Sequence, residues 1–150
     1  MKKVIMFFIA GMLLLSACGT KAGIEVSDAW ARSATQGTTG AIYFVIQNHN
    51  AEADAISGAS SDVAETVEVH ETKMENGVMS MIHVESVALE PSAKVEFKPG
   101  GYHVMLINLK QDLKAGDEVT FTLHFKNSPD ITINAMVKDA GSTDMSNMNN

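Results

Sequence analysis

The sequence predicts an all-β single domain, a sandwich or barrel, and three observations carry that prediction. Between residues 24 and 138 the chain breaks into short runs rich in β-branched and aromatic residues, separated by Gly, Pro, Asn and Asp. No stretch competes with the i, i+3, i+4 apolar spacing of an amphipathic helix. A length of 150 residues suits one hydrophobic core.

Taken in order, strands are expected over Ile24 to Ala31, Ala41 to Gln47, Ala55 to Ala59, Thr66 to Thr72, Val78 to Val87, Lys94 to Phe97, His103 to Leu109, Glu118 to Phe125 and Ile131 to Val137. Asn76-Gly77 predicts a tight hairpin, because both residues tolerate positive φ. Pro99-Gly100-Gly101 marks a turn before the run that starts at His103. No internal repeat is evident.

The ends read differently from the middle. Lys2 and Lys3 precede an apolar run from Val4 to Leu15, and Leu15-Ser16-Ala17-Cys18 closes it. A charged start, a short apolar run and small residues at the end make residues 1–17 a secretion signal. The run falls short of the roughly 20 residues a membrane span needs. Its ending resembles a bacterial lipobox, so Cys18 is expected to carry lipid and to begin the mature chain. Residues 18–23 then form the lipidated cysteine and a linker, residues 24–138 the β domain, and residues 139–150 a flexible tail of Met, Asn and Ser. The protein is thus expected outside the cytoplasm, lipid-anchored to a bacterial membrane at the periplasm or cell surface.

Lipidation uses the single cysteine of the chain. Disulfide frameworks, thiol catalysis and thiolate metal sites are thereby excluded from the mature domain. The formal charge is −7; without Lys2 and Lys3 it becomes about −9. An acidic surface repels phosphate backbones and does not draw anionic lipid, so nucleic acid is excluded and the membrane is reached through the anchor alone. Cations are favoured.

Residues two apart on a strand share a face. In Val78 to Val84 this sets Val78, Ser80, Ile82 and Val84, expected in the core, against Met79, Met81 and His83. In the run from His103, Val104 and Leu106 oppose His103 and Met105. In Thr66 to His70, Val67 and Val69 oppose Thr66, Glu68 and His70. Each of three strands therefore sorts histidine, with or without methionine, away from its aliphatic set. Thioether sulfur is a neutral soft donor suited to copper(I), and imidazole suits copper in either oxidation state. Thioethers also need no deprotonation and form no disulfides.

At this point the chain resembles a family. His70-Glu71-Thr72, then Gly77-Val78-Met79-Ser80-Met81, then Lys98-Pro99-Gly100-Gly101-Tyr102-His103-Val104-Met105-Leu106 closely resemble the PCuAC-type periplasmic copper chaperones, as a lipoprotein member. The gaps follow the family's His-x10-Met-x21-His-x-Met signature. Asp28-Ala29-Trp30-Ala31-Arg32, Gly40-Ala41-Ile42-Tyr43, Asn48 and Asp54 resemble its upstream pattern. The resemblance implies a cupredoxin-like Greek-key β-sandwich or barrel whose copper(I) ligands are His70, Met81, His103 and Met105. It implies no catalysis, and a partner that accepts copper, such as a cytochrome oxidase subunit or its assembly factor. A monomer is expected. A copper-tolerance or copper-storage lipoprotein, a copper-dependent redox enzyme and a surface lipoprotein that recognises another protein stay open as alternatives. A blue-copper electron carrier does not, since that site needs a thiolate.

Met79 and His83 lie beside Met81 as auxiliary ligand candidates. Glu71 is a candidate acceptor behind an imidazole, or else a solvated charge. Trp30 and Met136 are assigned to the core. Met74 is taken as incidental, and His49 and His124 carry no assignment. Met145 and Met148 in the tail are candidates for soft-metal capture, against ordinary disorder.

Overall fold

The computed structural model describes residues 22–139. The signal segment, Cys18, the first part of the linker and the tail with Met145 and Met148 lie outside the described residues. Every regular element described is a strand: β1 (Ile24–Arg32), β2 (Gly40–Asn48), β3 (Asp54–Ser60), β4 (Ala64–Glu75), β5 (Val78–His83), β6 (Val87–Leu89), β7 (Lys94–Phe97), β8 (Tyr102–Leu109), β9 (Glu118–Phe125) and β10 (Ile131–Lys138).

They form one sheet in the order β5-β4-β8-β7-β2-β1-β10-β9-β3-β6. The β1–β10 and β7–β8 pairs are parallel, and the others are antiparallel. Strand β2 changes partner along its length: Gly40 to Ile42 face β8, whereas Phe44 to Gln47 face β7. The sheet thereby folds over one core. Phe44 stacks on Phe97 at 4.2 Å between ring centroids and tilts against Phe121 at 5.6 Å. Ile42, Ile46, Ile56, Leu106 and Leu123 are fully buried in the same cluster. Each such side chain contributes about 1.5–3 kcal/mol relative to an exposed one.

Two polar residues of the upstream pattern stitch loops to this core. Buried Asn48 donates from Nδ2 to the carbonyls of Glu52 and Leu89, and its Oδ1 accepts from the Asn50 amide. Asp54, also buried, accepts from the backbone amides of Ala55, Asn127 and Ser128. Burial works to raise its pKa, but these bonds together with the Ser128 side chain hold the carboxyl below its ordinary range.

The Asn76-Gly77 hairpin forms with φ of 53° and 78°, as that pair demands. Four expectations need correction. The run Val78 to Val87 is two strands: β5 pairs with β4 at one end of the sheet, and β6 pairs with β3 at the other. Val78 and Ile82 are not core. The hairpin runs past the edge of the core, so Val78 is 67% and Ile82 42% exposed. An alternating pattern marks two faces without saying that either is covered. Trp30 is likewise on the outer face, because a bulge at Asp28, with φ of 54°, shifts the β1–β2 register between Ser27 and Trp30. Val26 packs on the core before the bulge, and odd-numbered Ala31 is buried after it. Met136 sits opposite the half-buried Trp30 and is exposed, while Ala135 and Val137 point inward.

Candidate metal centre

Strands β5, β4 and β8 lie side by side, and their register sets which side chains meet. His70 on β4 faces His83 on β5 and His103 on β8. Thr72 faces Met81, and Glu68 faces Met105. Directly opposed residues project to the same face. His70, Met81, His103 and Met105 therefore share one face, with the thioethers diagonal to His70 on opposite sides. Met79 and His83 share it as well.

The imidazoles are close: the His70 and His103 ring centroids are 5.9 Å apart, and those of His70 and His83 are 5.8 Å apart. Met79, Met81, His103 and Met105 line one cleft of about 390 Å³ with Arg32, Tyr43 and Thr72. Tyr43 links the cleft to an aromatic row, its ring tilted against Trp30 at 4.5 Å and reaching the His103 ring at 6.4 Å. Burial raises the Tyr43 pKa against the opposing pull of Arg32, so its phenol stays neutral.

The histidines are held differently. His103 is buried, and its Nδ1 donates to the Gly101 carbonyl at 3.1 Å. Gly101 follows Gly100, whose φ of 82° makes the turn before β8, and its carbonyl also accepts from the Thr72 amide. That bond leaves Nε2 of His103 as the free donor atom. Burial pushes the His103 pKa down, the Gly101 bond opposes this, and His70 adds to the depression. His70 pairs through Nε2 with Glu68 at 2.8 Å, while its Nδ1 is buried with no hydrogen-bond partner. A buried polar nitrogen without a partner is costly unless something else meets it.

Glu68 is the residue sequence reasoning passed over. The Glu68-Val69-His70 alternation already put it on the histidine face, yet Glu71 was the one singled out. Glu71 is one residue from His70, hence on the opposite face, and pairs with Lys73 at 3.2 Å. Glu68 also approaches Nδ1 of His83 at 3.5 Å. Its hydrogen bond to His70, above all, holds its carboxyl below the ordinary range. Met74, 68% exposed, faces Met79 across the hairpin. Elsewhere, His49 pairs with Glu25. His124 bridges Ser60 and Asp130 at 2.9 and 2.8 Å. That chain has the order of a catalytic triad, but its carboxylate is half-exposed and lacks the burial that such triads give the aspartate. It ties β3 to the segment between β9 and β10.

A single all-β domain with imidazole and thioether donors gathered on one sheet face is the class of protein that fold and site define. The chain belongs to the LpqE-like family, whose model, described as "Putative lipoprotein LpqE-like", matches residues 24–137. "Putative lipoprotein Lxx21020" of Leifsonia xyli is 33% identical over 118 residues, covering 78% of this chain and 70% of that protein. "Uncharacterized protein RP573" of Rickettsia prowazekii is 32% identical over 122 residues, covering 78% and 67%. Among solved structures, the copper-bound PCuAC domain from PmoF2 superposes with a TM-score of 0.66 at 24% identity, over 79% of this chain and 94% of that one. The CuI-DR1885 solution structure from Deinococcus radiodurans gives 0.53 at 25% identity, over 75% and 78%. The expected cupredoxin-like β fold is therefore the PCuAC fold, here built as a ten-strand mixed sheet.

Proposed function

We propose that this protein is an extracytoplasmic, lipid-anchored copper chaperone that binds copper(I) through His70, Met81, His103 and Met105 and hands it to a copper-accepting protein. The observation that carries the reading is the unpartnered, buried Nδ1 of His70 on the face it shares with His103, Met81 and Met105. Two imidazole nitrogens and two thioethers match the preference of copper(I) for soft neutral donors. No thiolate competes. Two similar structures are of copper-bound proteins, and the family description is of lipoproteins. Those names support the metal and the anchor; the ligand set rests on this chain's own residues.

The donor set suggests how transfer works. Met81, 59% exposed, stands at the open side of the cleft, while His103 is buried. An acceptor docked over β5 meets the exposed thioether first and replaces ligands stepwise from there. A respiratory oxidase copper centre, or the factor that assembles it, is the acceptor we favour. Lipid on Cys18 keeps the carrier at the membrane where such acceptors sit.

Copper(I) titration of the full chain against a competing chelator tests the ligand set. Met81→Ala, His103→Ala and Met105→Ala are expected to retain copper less well than the wild type. Equal retention by all four removes the site. Cys18→Ser is expected to move the protein from the membrane fraction to the soluble one.

A further inference from the structure

On the β5 side of His70 a different donor set converges. Glu68, His70 and His83 each offer one ligand atom, and these atoms all lie within 4.8 Å of one another. The carboxylate is 2.8 Å from His70 Nε2 and 3.5 Å from His83 Nδ1. Around a tetrahedral ion with bonds of roughly 2.0–2.2 Å, neighbouring donors stand about 3.4 Å apart, so one ion fits between them after a small adjustment. No sulfur belongs to this trio. Two imidazoles and a carboxylate are the donors that hold a borderline divalent ion, with an open position left for water or an incoming ligand.

We propose that Glu68, His70 and His83 form a divalent transition-metal site, of the zinc(II) or copper(II) class, beside the thioether cluster. Three features built by the fold support it. The cross-strand register places His70 and His83 directly opposite each other, and Glu68 two residues along the same face. The His70 and His83 rings stand edge to face at 86°, so their nitrogens converge on Glu68 instead of stacking. The His83 side chain is 53% exposed, which leaves a route in for a hydrated ion.

His70 is common to both donor sets, and this has a consequence that rests on the copper(I) reading above. A neutral imidazole has one lone pair: with Nε2 of His70 given to the divalent ion, the proton sits on Nδ1, the nitrogen that would close the set with His103 and the thioethers. Divalent ion and copper(I) are then alternatives at one face, and a carrier loaded with the first is closed to the second.

Zinc(II) competed against a chromophoric chelator, with the full chain, tests the proposal. The wild type and a Met81→Ala/Met105→Ala double variant are expected to hold one zinc ion. Glu68→Gln and His83→Ala are expected to hold it at least about tenfold less tightly, and His83→Ala is expected still to retain copper(I). The His83 side chain is exposed and that of Glu68 half-buried, and circular dichroism verifies that each variant is folded. Copper(I) added to the zinc-loaded wild type is expected to release zinc. Zinc retention unchanged in Glu68→Gln and His83→Ala overturns the site, as does a wild type that holds none. Both metals bound together overturns the sharing of His70. A chain that holds zinc through this trio but fails to retain copper(I) keeps this site and sinks the copper reading.

Discussion

Strands β5 and β8 flank the same strand, β4, and each carries histidine and methionine at alternate positions, yet the fold treats them oppositely. In β8 the intervening residues Val104 and Leu106 are fully buried, His103 is buried with them, and a backbone carbonyl fixes its ring. In β5 every residue but Ser80 is exposed, and the strand has a partner on one side alone. One half of the candidate centre is thus preorganised by the core, and the other half is open at the sheet edge. For a protein that must both hold an ion and let it go, that division is useful. The buried half sets the position of the ion, and the exposed half leaves room for a second protein.

The largest expected contrast is in stability. Leu106→Ala in β8 should cost about 3 kcal/mol, as deletions at filled core positions do. Ile82→Ala in β5 should stay within about 0.5 kcal/mol. Denaturant titration of both variants measures this, and equal losses would erase the distinction between the strands. Copper affinity comes next. His103→Ala should weaken copper(I) retention by about 100-fold, the upper end of what even supporting residues of metal sites cost. Met81→Ala should weaken it by about tenfold, since an exposed thioether is the more readily replaced by water or by Met79. An order reversed between these two would place the anchoring half at the edge.

Acid gives a subtler contrast. Burial lowers the His103 pKa in the folded protein, so the unfolded chain takes up a proton at higher pH. Stability from this residue is complete above about pH 6.5 and is lost as pH falls from there through the folded value. The metal-free wild type should therefore lose more stability between pH 7 and 5 than His103→Gln, as followed by thermal unfolding. Parallel slopes would show that His103 is not the buried neutral base described above. By the same logic copper(I) binding should weaken only in part near pH 6.5, because the thioethers do not titrate. Complete loss there would point to ligation by histidine alone.

Much of this was legible in the residues. The His-x10-Met-x21-His-x-Met spacing named the candidate donors, and strand alternation put them on outward faces. Asn76-Gly77 named its own hairpin. Val78 and Ile82, expected in the core from their alternation with Met79, Met81 and His83, are exposed, because periodicity describes a strand and not what lies across from it. Met136, expected in the core of the last strand as an apolar residue, is exposed as well. Trp30, expected in the core as a large aromatic, lies on the outer face because a single extra residue at Asp28 reverses the phase of the rest of β1. Glu68 was visible on the correct face, and its importance appeared only once His70 and His83 were seen to converge on it.

The sequence by itself determined the strand class, the turns, the absence of cysteine from residues 19–150 and which imidazoles and thioethers are candidate donors, because each of these depends on residue type and local spacing. Tertiary structure decided which donors become neighbours, which are buried and which carboxylate stands behind them. Those outcomes depend on the register between strands far apart in the chain and on where the core ends, and no local pattern of residues encodes either one.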